Sequence, residues 1–350
     1  MDLPPTPPHA QGDAARLRDM ILSFRVTQML HVAAKLNLPA HLLDGPQCAE
    51  DVAGRVGADA TSLYRFMRAL TSLGILTDAG AGRFGLTALG RLLAPDEPDS
   101  LGGLAILYGD EWLWKAYGRM LHSVRTGQTA FAEVHGTSLF EFLDTHPDAA
   151  AQFQAAMNDY SRLEASAIID AYAFPEGATV VDVGGGHGTL LAALLTAHAS
   201  MTGVLFDQPA VVENAGQIFA DARVSSRATV VGGDFFSELP SRGDLYLLKS
   251  VLHNWPDDDA GRILRCCRRA MSPRARLLIA ERVVPMGNGP SEAKLFDINM
   301  LVILGGKERT EDEYRDLLGR SGFSLGKVIA TKSPLSLIEA QPQAEARQGA

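Results

Sequence analysis

"VVDVGGGHGTLLAALL", Val180 to Leu195, decides the fold. Its first four residues, apolar apart from one acid, read as a buried strand. The glycines give a tight turn, and the leucine-rich remainder reads as a helix. The glycines fall as Gly184-x-Gly186-x-Gly188, a spacing unlike the G-x-G-x-x-G of dinucleotide binders. Asp182 stands inside the strand, two residues before the first glycine. A carboxylate there repels a pyrophosphate and tolerates a cationic or zwitterionic ligand, while the glycines let the backbone approach that ligand closely.

The grammar continues on both sides of this unit. After Pro175 short apolar runs, "GVLFD", "ATVVGGD", "DLYLLKSV" and "ARLLIAE", alternate with helical segments. That alternation predicts an α/β, Rossmann-like, doubly wound parallel sheet. The last two runs, "FSLGKVIA" and "LSLIEAQ", are separated only by "TKSP", too short for a helical crossover, so the final strand should be antiparallel. Asp207 ends the second strand and suits two ribose hydroxyls. Asp234 ends the third, where Phe235 suits an adenine face. Any one of these acids alone reads as a strand-end or cap residue. One at each of three successive strand ends lines a single crevice at the carboxyl edge, which points to a nucleoside cofactor and to S-adenosylmethionine rather than NAD.

The front half has a different character. "ILSFRVTQMLHVAAKLNL" carries apolar residues at helical spacing, and "CAEDVAGRVG" and "DATSLYRFMRALTSLGIL" read as two helices about a turn. "LTDAGAGRFGLTALGRLL" then reads as a small hairpin leading into a helix, so the unit reads as a winged helix. Residues 1–100 hold nine Lys and Arg against eleven Asp and Glu, and the helix that would read a groove offers only Arg65 and Arg68. With a net charge of -9 over the 350 residues, this argues against nucleic acid or an acidic membrane as partner, because phosphate binding needs clustered positive charge. Self-association through the apolar first helix is the better expectation. Hydrophobic residues at 46% and charged residues at 21% are globular values. With no apolar run of about 18 residues and no apolar signal region at the N-terminus, a cytoplasmic protein is expected. Cys48, Cys266 and Cys267 make neither a disulfide framework nor a zinc spacing.

The glycine segment resembles the class I S-adenosylmethionine methyltransferases. "FDQPAVV", "GDFF", "LKSVLHNWPDDDAGRILRCC" and "GGKERTEDEY" resemble the small-molecule O-methyltransferases of the plant caffeate type and of bacterial antibiotic tailoring. The similarity spans about residues 15–340. The Pro- and polar-rich first fifteen residues read as a disordered arm (1–15), followed by a winged-helix dimerisation domain (16–100), a helical linker and substrate-pocket region (101–172), a catalytic domain binding S-adenosylmethionine (173–340) and a flexible tail (341–350), the dimerisation, substrate and cofactor roles being what the resemblance implies. The resemblance also implies an intertwined homodimer whose front half contributes to the partner's pocket.

A phenol, with a pKa near 10, leaves little phenolate at neutral pH, so transfer to it benefits from a base; a histidine near 6.5 is often neutral enough to serve. The resemblance gives that role to His253, with Lys249 beside the adenosine and Glu281 and Glu308 as supporting acids that hold the imidazole. Thr310 and Glu313 form a capping box that leaves Glu308 free. Trp255 reads either as a wall of the site or as core. Asp257, Asp258 and Asp259 offset a helix dipole and make a poor cage for one ion, so no metal is expected. By resemblance Phe153, Met157, Asn299 and Met300 line the acceptor pocket, although Phe153 and Met157 lie on one helical face and also read as core. The family usually has Asp after the histidine, where this chain has Asn254. The expected activity is methylation of a phenolic hydroxyl on a small aromatic natural product. Alternatives are transfer to nitrogen or carbon, a non-methylating reaction with the same cofactor, and a winged-helix regulator that senses the cofactor.

Overall fold

The structure, a computed structural model, describes residues 12–95 and 97–344. The chain divides into two compact units, Met1–Trp114 and Lys115–Ala350.

In the first unit, helices Ala49–Val56 and Ala60–Ser72 make the helix-turn-helix. The second is capped by Asp59, whose carboxylate accepts the Ser62 N–H at 2.8 Å. Strands β1 (Gln47–Cys48), β2 (Leu76–Asp78) and β3 (Arg83–Leu86) form the wing in the order β1-β3-β2. Leu63, Met67 and Leu70 point from the second helix into a core with Val52, Ile75 and Phe84. The unit extends beyond the expected boundary at residue 100 because helix Gly102–Gly109 packs against helix Phe24–Lys35. His31 Nδ1 meets the Ile106 carbonyl at 2.9 Å and Gln28 donates to that of Gly109. Helix Asp13–Leu22 already begins inside the expected arm; residues 1–11 lie outside the described residues.

The second unit opens with helices, the longest Pro147–Ala171, and continues into a seven-stranded sheet. Its strands are β4 (Thr179–Val183), β5 (Thr202–Asp207), β6 (Ala228–Gly232), β7 (Leu245–Lys249), β8 (Arg276–Glu281), β9 (Phe323–Ala330) and β10 (Ser336–Pro342), in the order β6-β5-β4-β7-β8-β10-β9. Strands β4 to β8 pair in parallel; β10 runs antiparallel to both β8 and β9. The last strand of the chain thus sits inside the sheet, because the short link after β9 turns the chain straight back. Gln341 and Pro342 pair with Ser324 and Phe323, so the strand runs into the expected tail; residues 345–350 lie outside the described residues. Apolar helix faces cover both sides of the sheet: Leu190, Leu191 and Leu194 on one, Ile263, Leu264, Cys267 and Leu318 on the other. Both adjacent cysteines are buried, and burial pushes the Cys267 thiol up. Strand order reverses between β4 and its two neighbours β5 and β7, which places the ligand crevice at their carboxyl ends.

Candidate active site

The glycine turn carries the first half of the site. Gly186 has φ +61°, and its N–H donates to Asp207 Oδ2 at 2.8 Å; a Cβ there would lie 2.9 Å from Gln154 Nε2. Sequence reading passed over Gly185, where a Cβ would lie 2.5 Å from Asp182 Oδ2. Asp182 itself is 1% exposed, and its Oδ2 has no hydrogen-bond partner. Burial, with the Asp207 charge added, pushes its carboxyl up to about 7 against the opposing pull of Lys249. A buried, unsatisfied carboxyl beside a glycine cradle fits the cationic part of S-adenosylmethionine. Asp207 spends both oxygens on the turn, Oδ1 accepting the Gln208 N–H at 2.7 Å; burial raises its carboxyl and these two bonds oppose the rise. Asp234 is exposed and staples its own turn, accepting from the Phe236 N–H and the Ser237 hydroxyl. Phe235 beside it is half-buried, edge-on to Trp255 at 6.0 Å.

Lys249, at the end of β7, reaches a buried anion. Its ammonium lies 2.7 Å from Glu164 Oε2 and donates to Ser161 at 3.4 Å, both on helix Pro147–Ala171. A cation at the end of a buried strand takes the nearest buried anion, and Glu164 supplies one.

The second half is built on the turn after β7. Ser250 adopts φ +56°, and the Asn254 side-chain amide donates to the Ser250 carbonyl at 3.2 Å. An amide can make that bond, whereas an ionised carboxylate can only accept; this is the physical reading of Asn254 where the family has Asp. Glu281, at the end of β8, accepts three backbone N–H groups, from Val251 (3.0 Å), Leu252 (2.6 Å) and His253 (3.1 Å), and the Tyr314 hydroxyl donates to its other oxygen. The expectation that Glu281 grips the imidazole is therefore corrected: it grips the backbone that carries it.

Glu308 alone bonds the ring. His253 is 5% exposed, and its Nδ1 lies 2.7 Å from Glu308 Oε1. A carboxylate only accepts, so Nδ1 carries the proton and Nε2 becomes the ring's basic nitrogen. Burial alone would depress this histidine; the Glu308 charge and hydrogen bond overcome that and raise it above the ordinary value.

Three residues that sequence reading missed hold the turn from below. Arg309, 0% exposed, donates to the carbonyls of Leu252 (3.0 Å) and Trp255 (2.9 Å) and pairs with Asp257. Asp257 thus does more than start helix Asp257–Ala270: Arg309 and Lys307 keep its carboxyl low against the opposing effect of burial. Gly306 passes so close that a Cβ would lie 2.0 Å from the His253 carbonyl oxygen. Tyr314 anchors Glu281. The only local signal for these was their place in "GGKERTEDEY" beside Glu308.

On the acceptor side, Trp255 stacks on Phe140 at 5.7 Å, and Phe140 meets Phe153 edge-on at 6.5 Å. Phe140 is a further residue that sequence reading missed. Met157 is half-buried and Met300 is 2% exposed, inside the packed interior. Asn299 accepts from the Tyr117 hydroxyl, just before the helix opens into a π turn over Met300–Leu304. Among the described residues no cluster of His, Cys, Asp or Glu is gathered to hold a metal ion, and no helix is long and apolar enough to cross a membrane.

A doubly wound sheet, a glycine turn over a buried acid and a basic imidazole on the same edge define an S-adenosylmethionine-dependent methyltransferase. Comparison with known proteins narrows this class. Residues 117–324 match the O-methyltransferase domain and residues 19–96 the O-methyltransferase dimerisation domain; the chain belongs to the O-methyltransferase family. It is 44% identical to the phenazine O-methyltransferase PhzM of Lysobacter antibioticus, covering 93% of this chain and 95% of that one. The crystal structure of LaPhzM superposes with TM-score 0.91 over 94% of this chain and 99% of that one, at 44% identity. Two relatives widen the chemistry. An 8-amino-8-demethylriboflavin N,N-dimethyltransferase of Streptomyces davaonensis is 37% identical, covering 92% of this chain and 93% of that one. The aclacinomycin 10-hydroxylase RdmB of Streptomyces purpurascens is 38% identical, covering 86% and 82%.

Proposed function

We propose that this O-methyltransferase methylates a phenolic hydroxyl of a small, flat aromatic natural product without a metal ion, with His253 as general base, and works as a homodimer. The buried His253–Glu308 pair carries the reading, because it leaves one basic nitrogen at the crevice edge and a carboxylate to stabilise the imidazolium that forms. The phenol proton passes to His253 Nε2 and the phenolate oxygen takes up the methyl group, giving a methyl ether and leaving the imidazolium to release its proton to solvent. S-adenosylmethionine supplies the electrophilic methyl group and becomes S-adenosylhomocysteine. Asp182, Gly184, Gly186, Asp207, Asp234, Phe235 and Lys249 are the residues proposed to hold it. Phe153, Met157, Trp255, Asn299 and Met300 are proposed for the acceptor side. In-line transfer depends mainly on alignment, which rigid aromatic walls and an anchored turn favour.

The substrate class rests on relatives named as a phenazine O-methyltransferase, a 3-amino-4-hydroxybenzoate 4-O-methyltransferase and a 2,7-dihydroxy-5-methyl-1-naphthoate 7-O-methyltransferase. The test is a turnover screen over flat phenols in excess chelator, with the methyl ether and S-adenosylhomocysteine both quantified. Equal amounts of the two support the reading. Loss of activity with chelator overturns metal independence. A second reading, transfer to an aromatic amine, is favoured by the N,N-dimethyltransferase relative; an amine acceptor turned over in preference to its phenol analogue would establish it.

A further inference from the structure

A buried arginine that the mechanism has not used lies one aromatic ring away from the base. Arg282 follows β8 directly and is 3% exposed. Its Nε donates to both oxygens of Glu292, at 3.1 and 2.8 Å, and its guanidinium lies 3.7 Å from Glu164 Oε1. Glu164 is the same carboxylate that holds Lys249. The guanidinium carbon sits 3.8 Å from the centre of the Phe296 ring, a close cation–π contact. Phe296 in turn lies nearly parallel to the His253 imidazole, 14° apart with centres 6.1 Å apart, and edge-on to Tyr160 at 6.2 Å.

We propose that Arg282 is a positioning residue for His253: fixed by Glu164 and Glu292, it presses Phe296 into place along the imidazole and sets a positive charge against Glu308. The inference rests on His253 being the base. The carboxylate partner raises the pH at which the imidazole gives up its proton, and a fixed cation opposes that rise. The other charged and titratable groups about His253 are accounted for. Glu308 bonds the ring, and Glu281 bonds the turn with Tyr314 on its far oxygen. Arg309 holds the turn's carbonyls with Asp257 as its counter-ion, and Asp297 accepts the Glu308 N–H at 2.7 Å. The opposing effect of Arg282 on His253 protonation agrees with this geometry. The arrangement also joins the halves of the site, since Lys249, whose charge acts on Asp182, and Arg282, across Phe296 from the base, share Glu164.

The test is histidine titration by NMR in protein without acceptor, the His253 signal identified by its loss in His253→Asn, alongside the pH profile of turnover. In Arg282→Met the His253 signal is expected to titrate at higher pH. The acidic limb of kcat should move with it, giving roughly three- to tenfold lower turnover on that limb, while Arg282→Lys, which keeps the charge, stays near wild type. Glu292→Gln removes a half-exposed counter-ion from Arg282 and should shift the titration the opposite way. A folded Arg282→Met with unchanged titration overturns the proposal; if that variant does not fold, an unchanged titration in Glu292→Gln does so. A titration that moves while His253→Ala keeps full turnover would leave the charge relation standing and remove the base assignment instead.

Discussion

At the scale of single residues, environment sets chemistry. Asp182 is an acid whose burial lifts it from 3.8 to about 7. The folded protein therefore holds this proton to higher pH than the unfolded chain does. Stability from this group is full below about pH 4 and falls as pH rises through 7. A cationic ligand reverses that slope, because it is attracted to the ionised form. Asp182→Asn should flatten the dependence of the unliganded melting temperature on pH between about 4 and 7 and weaken S-adenosylmethionine binding at least about tenfold, read by calorimetry. Unchanged affinity would remove Asp182 from the cofactor site. The two histidine partners also separate at this scale. Glu308→Gln should act on the pH profile, since it bonds the ring, whereas Glu281→Gln should act on stability, since it bonds three backbone N–H groups.

At the scale of elements, the turn after β7 is clamped from two sides. Glu281 takes its N–H groups, and Arg309 takes its carbonyls with Asp257 as counter-ion. Gly306 touches its backbone. Gly306→Ala must push this turn aside, costing about 1–3 kcal/mol and lowering kcat more than cofactor affinity. Retained kcat in a destabilised variant would show that the turn tolerates displacement. Arg309→Met removes charged hydrogen bonds and should cost about 2 kcal/mol by denaturant melting, an effect moderated because Asp257 is about a third exposed and can rehydrate. The sequence made part of this legible. Asp182, Asp207 and Asp234 sit in local motifs whose strand-turn-helix grammar fixes which edge they occupy, and His253 follows a strand on that edge. Glu281 was placed at the right edge but given the wrong partner, and the contact of Lys249 with Glu164 was not foreseen, because both depend on long-range packing. Lys249 meets a helix whose Glu164 lies 85 positions earlier in the chain, and no periodicity reports that. Arg309 was hidden for the same reason: a buried cation is recognised by its partners, and Leu252, Trp255 and Asp257 lie on another segment.

At the scale of the whole molecule, each unit has its own core, and the first carries the match to the dimerisation domain. Leu17, Met20, Ile21 and Phe24 recur at helical spacing and are all more than half exposed. A stripe of this kind, along helix Asp13–Leu22 and the start of helix Phe24–Lys35, is covered in the homodimer we propose. Ile21→Asp should shift the mass measured by light scattering from dimer toward monomer; an unchanged dimer would place the interface elsewhere. The winged helix was legible in sequence, as was its lack of a basic groove-reading face. Its extension through Gly109 was not, because it depends on His31 fitting where only a glycine leaves room.

The central claim is that His253 removes the acceptor's proton. Its most direct test is turnover of His253→Ala on a phenol accepted by the wild type, with cofactor affinity measured in parallel. We predict a loss of about a hundredfold or more, with S-adenosylmethionine bound as tightly as before and partial recovery at high pH, where the phenol ionises unaided. Wild-type turnover by the variant near neutral pH would contradict the account.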